Sequence, residues 1–194
     1  MQKHYVLLMA IIITSLTGCS KNIVSEVTRF HSLPAPNLET IEVIPLDDNL
    51  RKSLEFGQYA ELVGQYLGRH GYKPPSHSPS QLIARIGYLA RPANDGMDSG
   101  PRSSVGIGIG SGGRRSSVGV GISIPLGQDK IPQDKIRRLT LEIIQRSDGI
   151  KLYEGQVTSR GKENMPLIMP YLVDALFTDF PGENGASNTV KITP

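Results

Sequence analysis

Few residues of this chain have the type and spacing that chemistry needs, and Cys19 is the clearest. It is the sole cysteine among 194 residues. It closes the string Leu16-Thr17-Gly18-Cys19, behind a basic start at Lys3 and an apolar run from Val6 to Ile13. A thiol in that place is a nucleophile that can become a thioether to diacylglycerol, with cleavage between Gly18 and Cys19. The apolar run is far short of the roughly 20 residues that cross a bilayer, and it fits the ~7–15-residue core of a secretory signal. Residues 1–18 are therefore expected to be a signal peptide, and Cys19 the lipid attachment site. Each buried CH₂ contributes about 0.8 kcal/mol, so two or three acyl chains hold stably where one binds reversibly. An acylated Cys19 is no longer available for a disulfide or for thiol catalysis.

Other chemical signals have plainer explanations. Gly108-Ile109-Gly110-Ser111-Gly112-Gly113 fits G-x-G-x-x-G, but a strand rather than a helix is predicted to follow, so dinucleotide binding is not implied. Ser111 fails the nucleophile-elbow pattern because Ile109 stands where glycine is needed. His31, His70 and His77 form no H-E-x-x-H. Asp47-Asp48 are explained by helix capping. Arg114-Arg115, at a hairpin tip, are either a solvated pair or a contact for an anion or lipid phosphate. No catalytic residue, metal site or cofactor is expected. The net charge is only +3, from 21 basic and 18 acidic side chains. The basic residues are dispersed as Arg51-Lys52, Arg114-Arg115 and Arg137-Arg138, so nucleic acid is not an expected partner.

The elements that position these residues can be read from periodicity. Strands are predicted over 24–33, 40–46 and 81–90, the last apolar on both faces and hence central. A helix should run from the Asp47-Asp48-Asn49 cap to His70. Its inner face holds Leu50, Leu54, Tyr59, Leu62, Val63, Tyr66 and Leu67, and Gly71 stops it. Residues 138–143 alternate cleanly, and Asp148-Gly149 suits a two-residue turn into a return strand over 150–160. Pro166 and Pro170 delay a last helix, which ends at Phe180-Pro181-Gly182. Residues 183–194 hold few apolar side chains and are expected to be a flexible tail. This order predicts an α+β domain, a mostly antiparallel sheet with two main helices on one face.

A repeat occupies the middle. Arg102-Ser103-Ser104-Val105-Gly106-Ile107-Gly108-Ile109 recurs as Arg115-Ser116-Ser117-Val118-Gly119-Val120-Gly121-Ile122. Gly112-Gly113 can supply both positive-φ positions of a tight turn. That register pairs Ile107 with Val118, Val105 with Val120 and Gly106 with Gly119, so the branched residues share one face and the glycines the other. Glycine in a strand costs roughly 0.5–1 kcal/mol against alanine and marks where another backbone can come close. The hairpin 103–124 is either a flexible excursion or a contact surface for a partner. Gly106, Gly108, Gly110, Gly112, Gly113, Arg114, Arg115, Gly119 and Gly121 are its candidate contact residues.

Three pieces, in order, resemble the bacterial lipoproteins that carry the domain of unknown function 4136. Ser53-Leu54-Glu55-Phe56 and Tyr59-Ala60 lead into Leu67-Gly68-Arg69-His70-Gly71-Tyr72, similar to that family's helix ending in Leu-x-x-x-Gly-Tyr. Val105-Gly106-Ile107-Gly108-Ile109-Gly110 resembles its glycine-rich middle, and Phe180-Pro181-Gly182 its last helix end. The chain has no Trp and only Leu33-Pro34 where members keep Trp-Leu-Pro. The resemblance covers about Val24 to Gly182. It implies fold and envelope location, and no activity. Ser20 after the cysteine resembles the signal of lipoproteins sorted to the outer membrane.

The expected organisation is a signal peptide (1–18), a lipidated tether (19–23), one α+β domain (24–182) and a tail (183–194). The leading expectation is a membrane-anchored, non-enzymatic envelope lipoprotein that faces the periplasm, its partners the lipid bilayer and an envelope protein. The alternative is a carrier or sensor binding a small apolar or anionic ligand between sheet and helices. A hydrolase ranks last.

Overall fold

The computed structural model describes residues 22–76, 78–93 and 134–193. Cys19, Ser20, His77 and the whole of the hairpin expected over 103–124 lie outside the described residues. Among the described residues six strands form one sheet: β1 (Ile23–His31), β2 (Ile41–Pro45), β3 (Leu82–Pro92), β4 (Lys135–Gln145), β5 (Lys151–Gly161) and β6 (Ser187–Ile192). Their spatial order is β2-β3-β4-β5-β1-β6. Every pairing is antiparallel except β2 with β3, which are joined through a helix and run parallel. The fold is α+β, as the order of elements predicted.

Alternation sorts the sheet into two faces. Ala84, Leu141, Ile143, Tyr153, Val157 and Val27 point to one face and are fully or almost fully buried. Helices α1 (Leu54–Arg69) and α2 (Met165–Phe177) contribute Phe56, Val63, Leu67, Met169, Leu172 and Leu176 to the same core. Each such Leu or Ile contributes about 1.5–3 kcal/mol. Among the described residues, the core and the apolar side chains packed on it run from Ile23 to Ile192.

Four details correct the sequence reading. Residues 187–192 are not a flexible tail: they pair with β1, from Ser187 opposite Thr28 to Ile192 opposite Ile23. The first helix does not begin at its aspartates. Asp47 caps a 3-10 turn (Asp48–Lys52) by accepting from the Asn49 N–H, and Ser53 then caps α1, leaving Leu54 89% exposed. Pro166 stands in the first turn of α2, as expected, but Pro170 lies inside the helix rather than delaying it. The loss of a main-chain donor at Pro170 is outweighed by eight buried α2 side chains. Finally, the β4–β5 connection is longer than two residues. Gln145 and Ile150 close it, and Gly149 alone takes positive φ, at 75°.

Candidate functional site

The motif Leu67-x-x-x-Gly71-Tyr72 is a helix stop. The Tyr72 N–H donates to the Leu67 carbonyl (3.2 Å) and the Gly71 N–H to that of Gly68 (3.1 Å). Gly71 takes φ 94°, and Leu67 and Tyr72 are both buried. This is the Schellman arrangement with its hydrophobic pair. The motif Phe180-Pro181-Gly182 has a matching role at the end of α2. Phe180 lies 5.0 Å from the rings of His70, Tyr153 and Phe177, so the two helix ends meet in one aromatic cluster. Tyr153 in turn folds over Gly155, where a Cβ would come within 2.5 Å of its hydroxyl. The Phe180–Pro181 bond is cis.

Arg29 ties this junction to the sheet. Its side chain is inward on β1 and 2% exposed. Nη2 donates to the carbonyls of Ala175 (3.3 Å), Leu176 (3.1 Å) and Thr178 (2.7 Å). A cation there meets the negative end of the helix dipole and satisfies carbonyls left over by the last turn. Arg137, 1% exposed, does similar work at the start of α2, donating to the carbonyl and carboxylate of Glu163. Arg137, counted from the sequence only among the dispersed basic residues, is thus a buried one. The signal was available in both cases: each arginine falls on the inward parity of its strand.

Beside the helix stop lies a cleft of about 510 Å³. Leu33, Pro34, Pro36 and Glu39 from the β1–β2 connection form one wall, and Ser80, Gln81 and Leu82 another. Arg146 and Ser147 of the β4–β5 turn and Leu152 of β5 complete it, with Tyr72 inside. The Tyr72 hydroxyl is buried with no hydrogen-bond partner among the described residues, and burial and the nearby Glu39 push its pKa up to about 12. It therefore stays a neutral donor at any physiological pH. Arg146 is held in place by Ser80, through Nε to its carbonyl (2.7 Å) and Nη2 to Oγ (2.8 Å), and by an ion pair with Glu42. Apolar walls, one unpartnered hydroxyl and a fixed guanidinium suit a small ligand with an acceptor or anionic end.

The two described histidines flank the aromatic cluster from opposite sides, His31 beside Tyr153 and His70 beside Phe180. His31 Nε2 is 3.0 Å from the Gly182 carbonyl, while His70 stacks on Phe177. Among the described residues no group of three His, Cys, Asp or Glu is placed to hold a metal ion. Nor is any described helix long and apolar enough to cross a membrane, which says nothing of strands.

An open six-stranded sheet with two helices on one face, locked by a glycine stop and an Arg-capped helix end, defines an α+β domain of a recognisable kind. The chain belongs to the family of the domain of unknown function DUF4136, whose model matches residues 29–182. An uncharacterized protein of Zymomonas mobilis is 26% identical over 86% of this chain and 80% of its own length. A PDZ domain protein from Parabacteroides distasonis superposes with a TM-score of 0.50 at 15% identity, covering 96% of this chain and 42% of that one. A PelC dodecamer from Paraburkholderia phytofirmans gives 0.44 at 9% identity, covering 78% of this chain and 93% of that one.

Proposed function

We propose that this protein is a lipoprotein of the cell envelope, held by acylated Cys19 at the outer membrane and acting as a non-enzymatic interaction module. The observation that carries the reading is the position of β1. It begins at Ile23, four residues beyond the only cysteine, so an acylated Cys19 would hold the sheet against the bilayer. Four residues span at most about 14 Å. The inward polar side chains support the same reading, because Arg29 and Arg137 fasten helix ends rather than face a substrate. Labelling cells with a tagged fatty acid tests the anchor: the wild type should carry label and Cys19→Ala should not. An unlabelled wild type that still fractionates with membranes refutes it. Crosslinking in cells, with and without residues 103–123, tests the module. A specific envelope protein should be captured by the intact chain.

A second reading, a carrier or sensor of small ligands, is favoured by the cleft around Tyr72. Native mass spectrometry of protein purified without detergent should then reveal a bound small molecule, lost on Tyr72→Phe.

A further inference from the structure

The cleft around Tyr72 brings two opposite charges to one wall. Among the described residues that line it, Arg146 is the only cation and Glu39 the only anion. Each is held by a contact that leaves it one unused atom. The Asn37 N–H donates to Glu39 Oε2 (2.6 Å), and Oε1 has no hydrogen-bond partner among the described residues. Ser80 accepts from Nε and Nη2 of Arg146, and Glu42, which is not part of the wall, pairs with Nη2. Nη1 is left without a hydrogen-bond partner among the described residues. The other polar side chains of the wall are spent on the protein. Gln81 Oε1 accepts from the Thr40 N–H, Gln145 Nε2 donates to Ser147 Oγ, and Ser80 Oγ donates to the Leu82 carbonyl. A carboxylate oxygen, a guanidinium nitrogen and the buried Tyr72 hydroxyl are what the protein itself leaves unsatisfied.

The register sets how far apart the two charges stand. The Leu82 N–H donates to the Thr40 carbonyl and the Arg146 N–H to the Gln81 carbonyl, both at 2.9 Å. Thr40, Gln81 and Arg146 therefore lie side by side, just before β2, just before β3 and just after β4. Two strand spacings separate the main chain near Glu39 from that at Arg146, about 10 Å. A free amino acid carries both charges on one carbon and is too short for that gap. An extended dipeptide separates them by about 7 Å, and the two protein side chains close the rest. It also offers a peptide carbonyl to a neutral hydroxyl donor and two side chains to Leu33, Pro36, Leu82 and Leu152. We infer that the cleft binds a short zwitterionic peptide, a dipeptide with apolar side chains, its ammonium on Glu39 and its carboxylate on Arg146. The inference rests on the second reading above, the cleft as a small-ligand site, and adds the chemistry it selects. An anion without an ammonium meets Glu39, and a cation without a carboxylate meets Arg146, so both ends are needed.

Calorimetric titration of the full chain, purified without detergent, tests it with leucyl-leucine as the probe. The dipeptide should bind, and acetylating its amine or amidating its carboxylate should each weaken binding about ten-fold or more, as the loss of a charge-assisted hydrogen bond does. The losses should pair with the residues. Glu39→Gln should weaken leucyl-leucine about ten-fold and leave the acetylated peptide unchanged, and Arg146→Gln should do the same with the amidated peptide. Arg146→Lys, which keeps the charge, should recover part of the affinity. The blocked peptides need no variant, so the wild type alone decides where Arg146→Gln does not fold. Equal binding of the free, acetylated and amidated peptides overturns the inference, and so does no binding of leucyl-leucine. A small molecule found on the protein by native mass spectrometry that leucyl-leucine does not displace also overturns it, yet leaves the carrier reading standing. That reading falls only when no small molecule is found and no peptide binds.

Discussion

Gly182 stands directly against the buried side chain of Arg29: a Cβ built on Gly182 would lie 2.9 Å from Arg29 Cδ. The last glycine of the Phe-Pro-Gly motif therefore makes room for the cation that closes α2. Gly182 also takes φ 83°, a conformation that costs another residue about 1–2 kcal/mol. Gly149 offers an internal control, with φ 75° and nothing within 4 Å. Gly149→Ala should lose only the conformational part, about 1 kcal/mol. Gly182→Ala should lose at least about 2 kcal/mol, roughly 4–8 °C in Tm for a chain of this size. Equal losses by thermal denaturation would show that the contact with Arg29 carries no weight.

Tyr72→Phe removes a buried hydroxyl that has no partner among the described residues. An unsatisfied buried polar group contributes nothing to stability, so the variant should unfold in urea within about 1 kcal/mol of the wild type, or later. A larger loss would mean that the hydroxyl is hydrogen-bonded in solution.

The sequence reading recovered the sheet best where alternation is strict and both neighbours are present, as in β4 and β5. It missed β6 because Ser187-Asn188-Thr189-Val190-Lys191-Ile192 lies at an edge. Only Val190 and Ile192 of that strand pack on the core. Such a strand is held mainly by backbone pairing, which leaves little mark on composition. It misread α2 because propensity was weighed without burial. Pro170 stops an exposed helix, yet here Leu172, Val173, Ala175 and Leu176 are all fully buried around it. The motifs of the two helix ends were legible as strings. Their meeting through Phe180 and His70 was not, because 110 positions separate them and no local rule links them.

Loss of the edge strand should be costly. Ending the chain after Ala186 would strip β1 of its β6 partner from Ile23 to Thr28 and uncover Ile23. An unpaired edge is a template for association with other chains. The truncated protein should melt several degrees earlier and run partly as oligomers in size-exclusion chromatography, whereas removing Pro194 alone should do neither.

Burial holds the pKa of His70 below its ordinary value of 6.5. The unfolded chain therefore binds this proton at a pH where the folded chain does not. The contribution of a neutral His70 is present above pH 6.5 and is lost as pH falls through the lower folded value. Urea midpoints should drop between pH 7.5 and pH 5.5 by more in the wild type than in His70→Phe, which keeps a ring against Phe177 and Phe180. Identical drops would assign the pH dependence to other groups.

The Ala93 N–H donates to the Asp134 carbonyl across 2.8 Å, continuing the β3–β4 ladder beyond Pro92 opposite Lys135. Whatever residues 94–133 do, they leave and re-enter the domain at a single doorway, on the side where β1 begins. Because the ladder itself holds the two ends side by side, a change in the length of what lies between them need not move any described strand pair.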